Sequence, residues 1–145
     1  MFRNMQEMRH ESMSLKRIHT NYNNESDGYF KDFLISWTAN SLLDISYREH
    51  FADVSVDSRI ASEYKSAISA KINSAPYFLT IVGSDSLKNQ WVRWEIADAF
   101  ELDKEIVAVK TNYNNELAPE LFQVGAKLAG SFTFADVVRA LDELS

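Results

Sequence analysis

The sequence predicts a three-layer α/β sandwich: a five-stranded parallel sheet, order 2-1-3-4-5, with helices on both faces. Three observations predict it. Short apolar runs alternate with helical stripes about five times along 145 residues. One run, Tyr77 to Val82 (YFLTIV), is apolar nearly throughout. Apolar residues make up 46% of the chain, and nine Phe, six Tyr and three Trp suffice for one packed core. A strand covered on both faces loses the alternation of a half-exposed one, so YFLTIV, entered after Pro76 and stopped at Gly83, reads as the central strand.

The elements follow in order. All four Met fall at positions 1, 5, 8 and 13 in a polar stretch without apolar period. Residues 1–13 therefore read as an N-terminal tail, with a short docking helix as the alternative, and residues 14–145 as one domain; Met13 is a candidate natural start. Leu15 to Thr20 is a short strand, broken by the turn-forming run Asn21-Tyr22-Asn23-Asn24. Asp27 suits a helix cap, and Phe30, Phe33, Leu34 and Trp37 recur at i, i+3, i+4 and i+7, one stripe of an amphipathic helix. Leu42 to Ser46 is a second strand. Tyr47 to Ser58, with Arg48, Glu49, His50, Asp53 and Asp57, has no clean period and reads as a long loop, of a length that tends to serve function.

Ile60, Tyr64, Ala67, Ile68 and Ile72 form the next helical stripe, and Val92, Ile96, Ala99 and Phe100 the one after YFLTIV. Ile106 to Val109 is the fourth strand, Pro119 opens a short segment, and Lys127 to Ala129 is the fifth strand. Thr133 with Asp136 three residues on resembles a capping box ahead of a last helix carrying Phe134, Val137, Val138, Leu141 and Leu144. This order is flavodoxin-like, and in that topology a ligand sits outside the carboxyl ends of strands one and three, where the strand order reverses. The Thr20 to Glu25 loop, the Gly83-Ser84-Asp85 turn and the start of the third helix meet there, beside the long second loop. The hexapeptide TNYNNE occurs twice, at Thr20 to Glu25 and Thr111 to Glu116, each just after a predicted strand. Asn-rich turns suit strand-to-helix connections, and a shared ligand contact is the alternative.

Composition narrows the function. No cysteine means no disulfide framework, thiolate metal site or cysteine nucleophile, and a cytoplasmic protein is the expectation. No window has about 18 uninterrupted apolar residues, so no membrane partner is expected. A net charge of −6 without a Lys/Arg-rich window disfavours nucleic acid, while a small anion can still be held by backbone amides. Glycine-rich nucleotide loops, a nucleophile elbow and paired-histidine zinc motifs are absent, and His10, His19 and His50 have no ligand-like spacing, so no metal is expected. His19 reads as a satisfied core or sheet histidine, with an acid as the alternative.

The informative stretch is Gln90 to Ile96 (QWVRWEI). On a helix Trp91 and Glu95 are four apart and share a face, while Val92 and Ile96 define the adjoining buried stripe, which puts Glu95 at the edge of the core. A carboxylate shielded by indole is poorly solvated and interacts more strongly with a cation it faces. Such a group suits the oxocarbenium-like centre that develops when a glycosidic bond to ribose breaks. The alternative is a solvated helix-face carboxylate beside core tryptophans.

The strand ending in Gly83, then Ser84, a polar turn, Trp91-Val92-Arg93-Trp94-Glu95-Ile96 and Ile106 to Val109 resemble the TIR-like family that includes the signalling subunit of the bacterial Thoeris anti-phage system. The resemblance covers most of Leu15 to Leu144; its specific core is the W-V-x-W/Y-E-I motif after an apolar strand ending in Gly. It implies a flavodoxin-like fold, and it implies NAD as substrate, with no further cofactor. Nicotinamide–ribose cleavage would use Glu95 as the key residue, and in Thoeris-type members cyclisation gives a cyclic ADP-ribose isomer that activates a partner effector. Thr20, Asn21 and Tyr22 with Gly83 and Ser84 would hold ribose and phosphate, and Trp91 would shape the pocket. The second loop, with Asp53, Ser55 and Asp57, stands where the family has a loop for substrate gating and self-association. The family's first strand usually ends hydrophobic-Ser-Phe/Tyr, whereas this chain has Ile18-His19-Thr20-Asn21-Tyr22. Two alternatives are a non-catalytic adaptor module and a nucleoside deoxyribosyltransferase-like enzyme, since fold alone does not confer activity.

Overall fold

The run YFLTIV forms strand β3 (Tyr77–Val82), with every side chain after Tyr77 buried. It is covered because it is paired on both edges, to β1 (Lys16–Asn21) and β4 (Glu105–Lys110), and packed on both faces. The computed structural model of the chain describes residues 16–23, 30–39, 43–47 and 54–144. With β2 (Leu43–Tyr47) and β5 (Lys127–Leu128) the sheet runs β2-β1-β3-β4-β5, all parallel, as the alternation of elements predicts. The helices are α1 (Phe30–Thr38), α2 (Ala61–Asn73), α3 (Gln90–Glu101), α4 (Pro119–Gln123) and α5 (Phe134–Leu144).

Period-two alternation along the strands splits the core in two. Leu79 and Ile81 of β3 join Ile18, Val107 and Val109 under α1 and α5. Phe78 and Val82 join Ile106 and Ala108 under α2, α3 and α4. On the first face Phe132 closes a cluster of rings, 5.0 Å from Phe30 and 5.2 Å from Trp37. The start of α5 is held as expected, the Asp136 amide donating to Thr133 Oγ1 at 3.2 Å. The Asp136 carboxylate, however, accepts from Ser131 and Arg139.

Four members of the predicted stripes face water instead: Phe33 (46% exposed), Ile60 (64%), which precedes the first residue of α2, Ala67 and Phe100 (54%). On α3 the buried residues are Trp91, Val92, Glu95, Ile96 and Ala99. At about 100° per residue the buried arc is centred close to Ala99, and Phe100 lies roughly 110° away from its centre. Glu95 is only about 30° off it. The expected position of Glu95 at the rim of the core is thus corrected to its middle, with 0% exposure.

Residues 1–15, with the expected tail, and the cap residue Asp27 lie outside the described residues, as do Arg48, Glu49, His50 and Asp53 of the second loop. The remainder of that loop turns on itself, with the Ser58 amide bonded to Ser55 O at 3.0 Å, and α2 starts at Ala61. Among the described residues no helix is long and apolar enough to cross a membrane.

Candidate functional site

Strand β1 carries polar side chains into the protein interior, which a central strand does only when they are matched or used. Ile18 packs under α1, so by alternation His19 and Asn21 stand on the other face, under α3. The ladder pairs His19 with Phe78 and Asn21 with Thr80. Phe78 and Val82 pack against Val92 and Ile96, so Thr80 between them faces α3 as well. Four fully or nearly fully buried polar side chains, His19, Asn21, Thr80 and Glu95, therefore share one face of the sheet.

Their bonds are specific. Asn21 Nδ2 donates to Val92 O of α3 at 3.1 Å, tying the strand end to the helix. His19 Nδ1 lies 3.0 Å from Ser46 Oγ on β2, and its Nε2 points at Glu95 Oε2, 3.6 Å away. Asn21 Oδ1 and the Thr80 hydroxyl are buried without a hydrogen-bond partner, the pattern of a place that takes water or a polar ligand. One turn beyond Glu95, burial pushes the Asp98 carboxyl above its usual range, against a lowering hydrogen bond from Ser69; the negative charges of Glu101 and Glu95 push the same way as burial. Among the described residues no three His, Asp or Glu converge to hold a metal ion.

The carboxyl edge above this face is closed by polar clasps. Asn89 caps α3, its Oδ1 accepting from the Trp91 and Val92 amides at 2.9 and 3.1 Å, and its Nδ2 donates to Asn23 Oδ1 at 3.1 Å. The Trp91 indole donates to Val54 O at 2.7 Å and so clasps the end of the second loop, while its ring meets Trp94 edge-on at 5.9 Å.

A family model of the TIR-like domain of the Thoeris protein ThsB matches residues 19–116, which span the second half of β1, from His19, and the whole of α3. The chain belongs to that family. Solved structures share the TIR-like domain's fold at low identity. A conserved protein from Enterococcus faecalis V583 superposes with a TM-score of 0.63 at 14% identity, over 91% of this chain and 100% of that one. The CMP N-glycosidase of Clostridium botulinum gives 0.59 at 11% identity, over 88% and 99%. A 2-deoxyribosyltransferase from Bacillus psychrosaccharolyticus gives 0.56 at 15%, over 84% and 90%. No curated protein sequence matches the chain.

Within the TIR-like domain the sequence-predicted site residues separate. Glu95, Asn21 and Trp91 gather on the α3 side, where Asn21 touches the helix and Trp91 covers the loop end. Thr20 has the parity of Ile18 and stands on the opposite face. Tyr22, expected as a ligand contact, is 3% exposed and packs with Phe30, Leu34 and Trp37 under α1. That corrects its placement: the strand continues through Asn21, so Tyr22 points away from Glu95. Gly83 is buried and its amide donates to Ser86 Oγ at 2.8 Å, while Ser84 is exposed in the turn. Asp57 is exposed, its amide bonded within the loop to Ser55 Oγ. Sequence reasoning left out Thr80 as a site residue and read His19 as a satisfied core or sheet histidine, with an acid as the alternative. For Thr80 the signal was present, a polar residue inside the otherwise apolar run YFLTIV at the parity that faces α3, whereas His19 stands in the mixed run KRIHTN, which carries no such contrast.

Proposed function

We propose that this TIR-like domain cleaves the nicotinamide–ribose bond of NAD in anti-phage signalling, with Glu95 as the residue that stabilises the ribosyl cation. The observation that carries the reading is the complete burial of Glu95 among polar side chains of β1 and β3. A carboxylate surrounded by hydrocarbon there would only cost stability; beside a developing cation the same dry surroundings strengthen the attraction.

In the reaction the electron pair of the ribose C1′–N bond leaves with nicotinamide, which departs neutral and needs no acid. Positive charge then passes to the ribose ring, where Glu95 faces it. Water, or a hydroxyl of the same ADP-ribose in the cyclising case, attacks C1′ and loses its proton. Asn21 Oδ1 and Thr80 Oγ1 supply the polar contacts for ribose hydroxyls. Trp91 shapes the entrance, and Gly83 and Ser84 belong to the turn beside it. A ribose reaches Glu95 only when the clasps at the carboxyl edge part, so turnover depends on opening, and self-association through the second loop is the expected trigger. A product signal would then act on a partner effector.

Two proteins of this fold are by name an N-glycosidase of CMP and a deoxyribosyltransferase, which favours a second reading, cleavage of a nucleoside N-glycosidic bond. One experiment separates the two. Purified chain is incubated with NAD, CMP or a deoxynucleoside, and released base is quantified by chromatography. Nicotinamide release lowered about a hundredfold or more in folded Glu95→Gln is expected. Base release from CMP or the deoxynucleoside alone transfers the site to the second reading, and unchanged turnover in folded Glu95→Gln removes Glu95 from the reaction.

A further inference from the structure

His19 is a titratable side chain with 0% exposure in the middle of a sheet, beside the apolar ring of Phe78. Burying an imidazole costs free energy unless its nitrogens are engaged. One flank of the ring is apolar, with Phe78 at 6.1 Å between centroids. Its two nitrogens lead in opposite directions. Nδ1 meets the hydroxyl of Ser46, the residue paired with His19 across the β1–β2 ladder, at 3.0 Å. Nε2 meets Glu95 Oε2 at 3.6 Å. With Glu95 as the carboxylate that the cleavage reading requires, a nitrogen lone pair aimed at its oxygen in a dry site is repulsive, so Nε2 carries the proton. A singly protonated ring then presents a bare Nδ1, which accepts from Ser46, whose hydroxyl rotates freely at the exposed edge strand.

We propose that His19 is the positioning residue for Glu95: the Ser46 hydroxyl fixes the ring through Nδ1, and the Nε2–H holds the carboxylate where the ribosyl cation forms. The proposal rests on the glycosidic-cleavage reading for its catalytic part, while the Ser46–His19–Glu95 line itself is a property of the protein without substrate. At 3.6 Å the Nε2–H steers Glu95 without closing a full hydrogen bond, which leaves the carboxylate's charge available to a cation. A displacement of about 1 Å at such a group costs up to about a hundredfold in rate, so the ring's hold is worth measuring as a rate effect.

The test has one arm that needs no turnover. Nitrogen NMR of the imidazole-labelled full chain at neutral pH is expected to show the proton on Nε2 and none on Nδ1. Glu95→Gln is expected to shift the Nε2 resonance, and Ser46→Ala to move population toward the Nδ1–H tautomer. A ring protonated at Nδ1, or resonances that ignore Glu95→Gln, overturn the line whatever the activity assay gives. The second arm reads kinetics on the substrate the wild type turns over. His19→Phe is expected to lower kcat about tenfold with KM little changed. His19→Gln, which keeps a donor near Nε2, is expected to recover most of that loss. Equal losses in the two variants, or a loss confined to KM, overturn the positioning role. Should His19→Phe fail to fold, Ser46→Ala carries this arm: a severalfold drop in kcat supports the proposal and none overturns it. Intact tautomer results beside an inactive wild type would sink the cleavage reading alone.

Discussion

The hexapeptide TNYNNE occurs twice, and its first four residues fold in two different ways. In the first copy Thr20 and Asn21 belong to β1, and Thr20, Asn21, Tyr22 and Asn23 are all at most 5% exposed. In the second copy β4 has already ended at Lys110, Tyr113 is 85% exposed, and Asn112 and Asn114 are exposed too. The asparagines do different work as a result. Asn21 reaches across to α3, and Asn23 meets Asn89. Asn112 instead closes a local turn, its Oδ1 accepting from the Asn114 amide at 2.9 Å, and Asn115 donates to Val82 O at 2.8 Å. The second copy lines a surface groove of about 330 Å³ beside Gly130 and Phe132. At matched positions, Asn21 and Asn23 thus become tertiary ties to α3 and its cap, while Asn112 and Asn114 lie exposed and share a turn.

The largest effect expected from this contrast is on the tyrosines. Tyr22→Ala should cost about 3 kcal/mol or more, as for other large rings removed from a core, while Tyr113→Ala should stay within about 0.5 kcal/mol. Urea unfolding of both variants measures it, and equal losses would break the comparison. Next come the asparagines: Asn21→Ala should cost about 2 kcal/mol, because a buried tie to α3 is lost. Asn112→Ala should cost less than about 1 kcal/mol, since water replaces its turn bond. The same melts decide the order.

Two carboxylates of the same side of the sheet extend the rule that burial sets the weight of a side chain. Because burial raises the Asp98 carboxyl above its unfolded value, the folded state holds its proton more tightly. Stability therefore falls as pH rises from the usual carboxylate range through the raised value, and Asp98→Asn should raise the melting temperature at neutral pH while changing little in acid. Calorimetry across pH sharpens the comparison if Glu101→Gln, exposed on the same helix, does neither. The smallest effect belongs to the clasp between α3 and α4, where Arg93 Nε and Nη2 reach the Glu120 carboxylate at 2.7 and 3.0 Å. The bond from Arg93 lowers the Glu120 carboxyl and raises the guanidinium. Its contribution is present above the usual carboxylate range and fades as pH falls through the lowered value. With Arg93 nearly half exposed, Glu120→Gln should cost under about 1 kcal/mol at neutral pH, read from the same melts.

The sheet was legible because its signals are local: the YFLTIV run gave β3 to the residue, and five strand–helix alternations pointed to a parallel sheet, for which the flavodoxin-like order found here was the natural choice. The spacing of Glu95 to Trp91, Val92 and Ile96 put it on the core-facing side of α3, at the rim of the core instead of the middle where it lies. The rest depends on register, which one sequence does not display. Ending the first strand at Thr20 instead of Asn21 turned Tyr22 into a loop residue, when strand parity sends it under α1. The pairings of His19 with Ser46 and of Asn21 with Thr80 arise between segments 27 and 59 positions apart, beyond the reach of any helical or strand period. Phe33, Ile60, Ala67 and Phe100 misled because an apolar side chain is free to sit in water.

The shortness of β5 has a consequence for how copies of this protein can meet. A sheet edge of two residues offers too little unpaired main chain for a neighbour to extend the sheet there. The opposite edge, β2, has five residues but places exposed Asp44 and Ser46 along it. Growth by strand addition, the route of fibrils and of peptide capture at open sheets, is thus discouraged at both ends. Ordered filaments or rings of this chain would have to be built from side-chain surfaces of helices and loops, which can be undone without breaking a β-ladder.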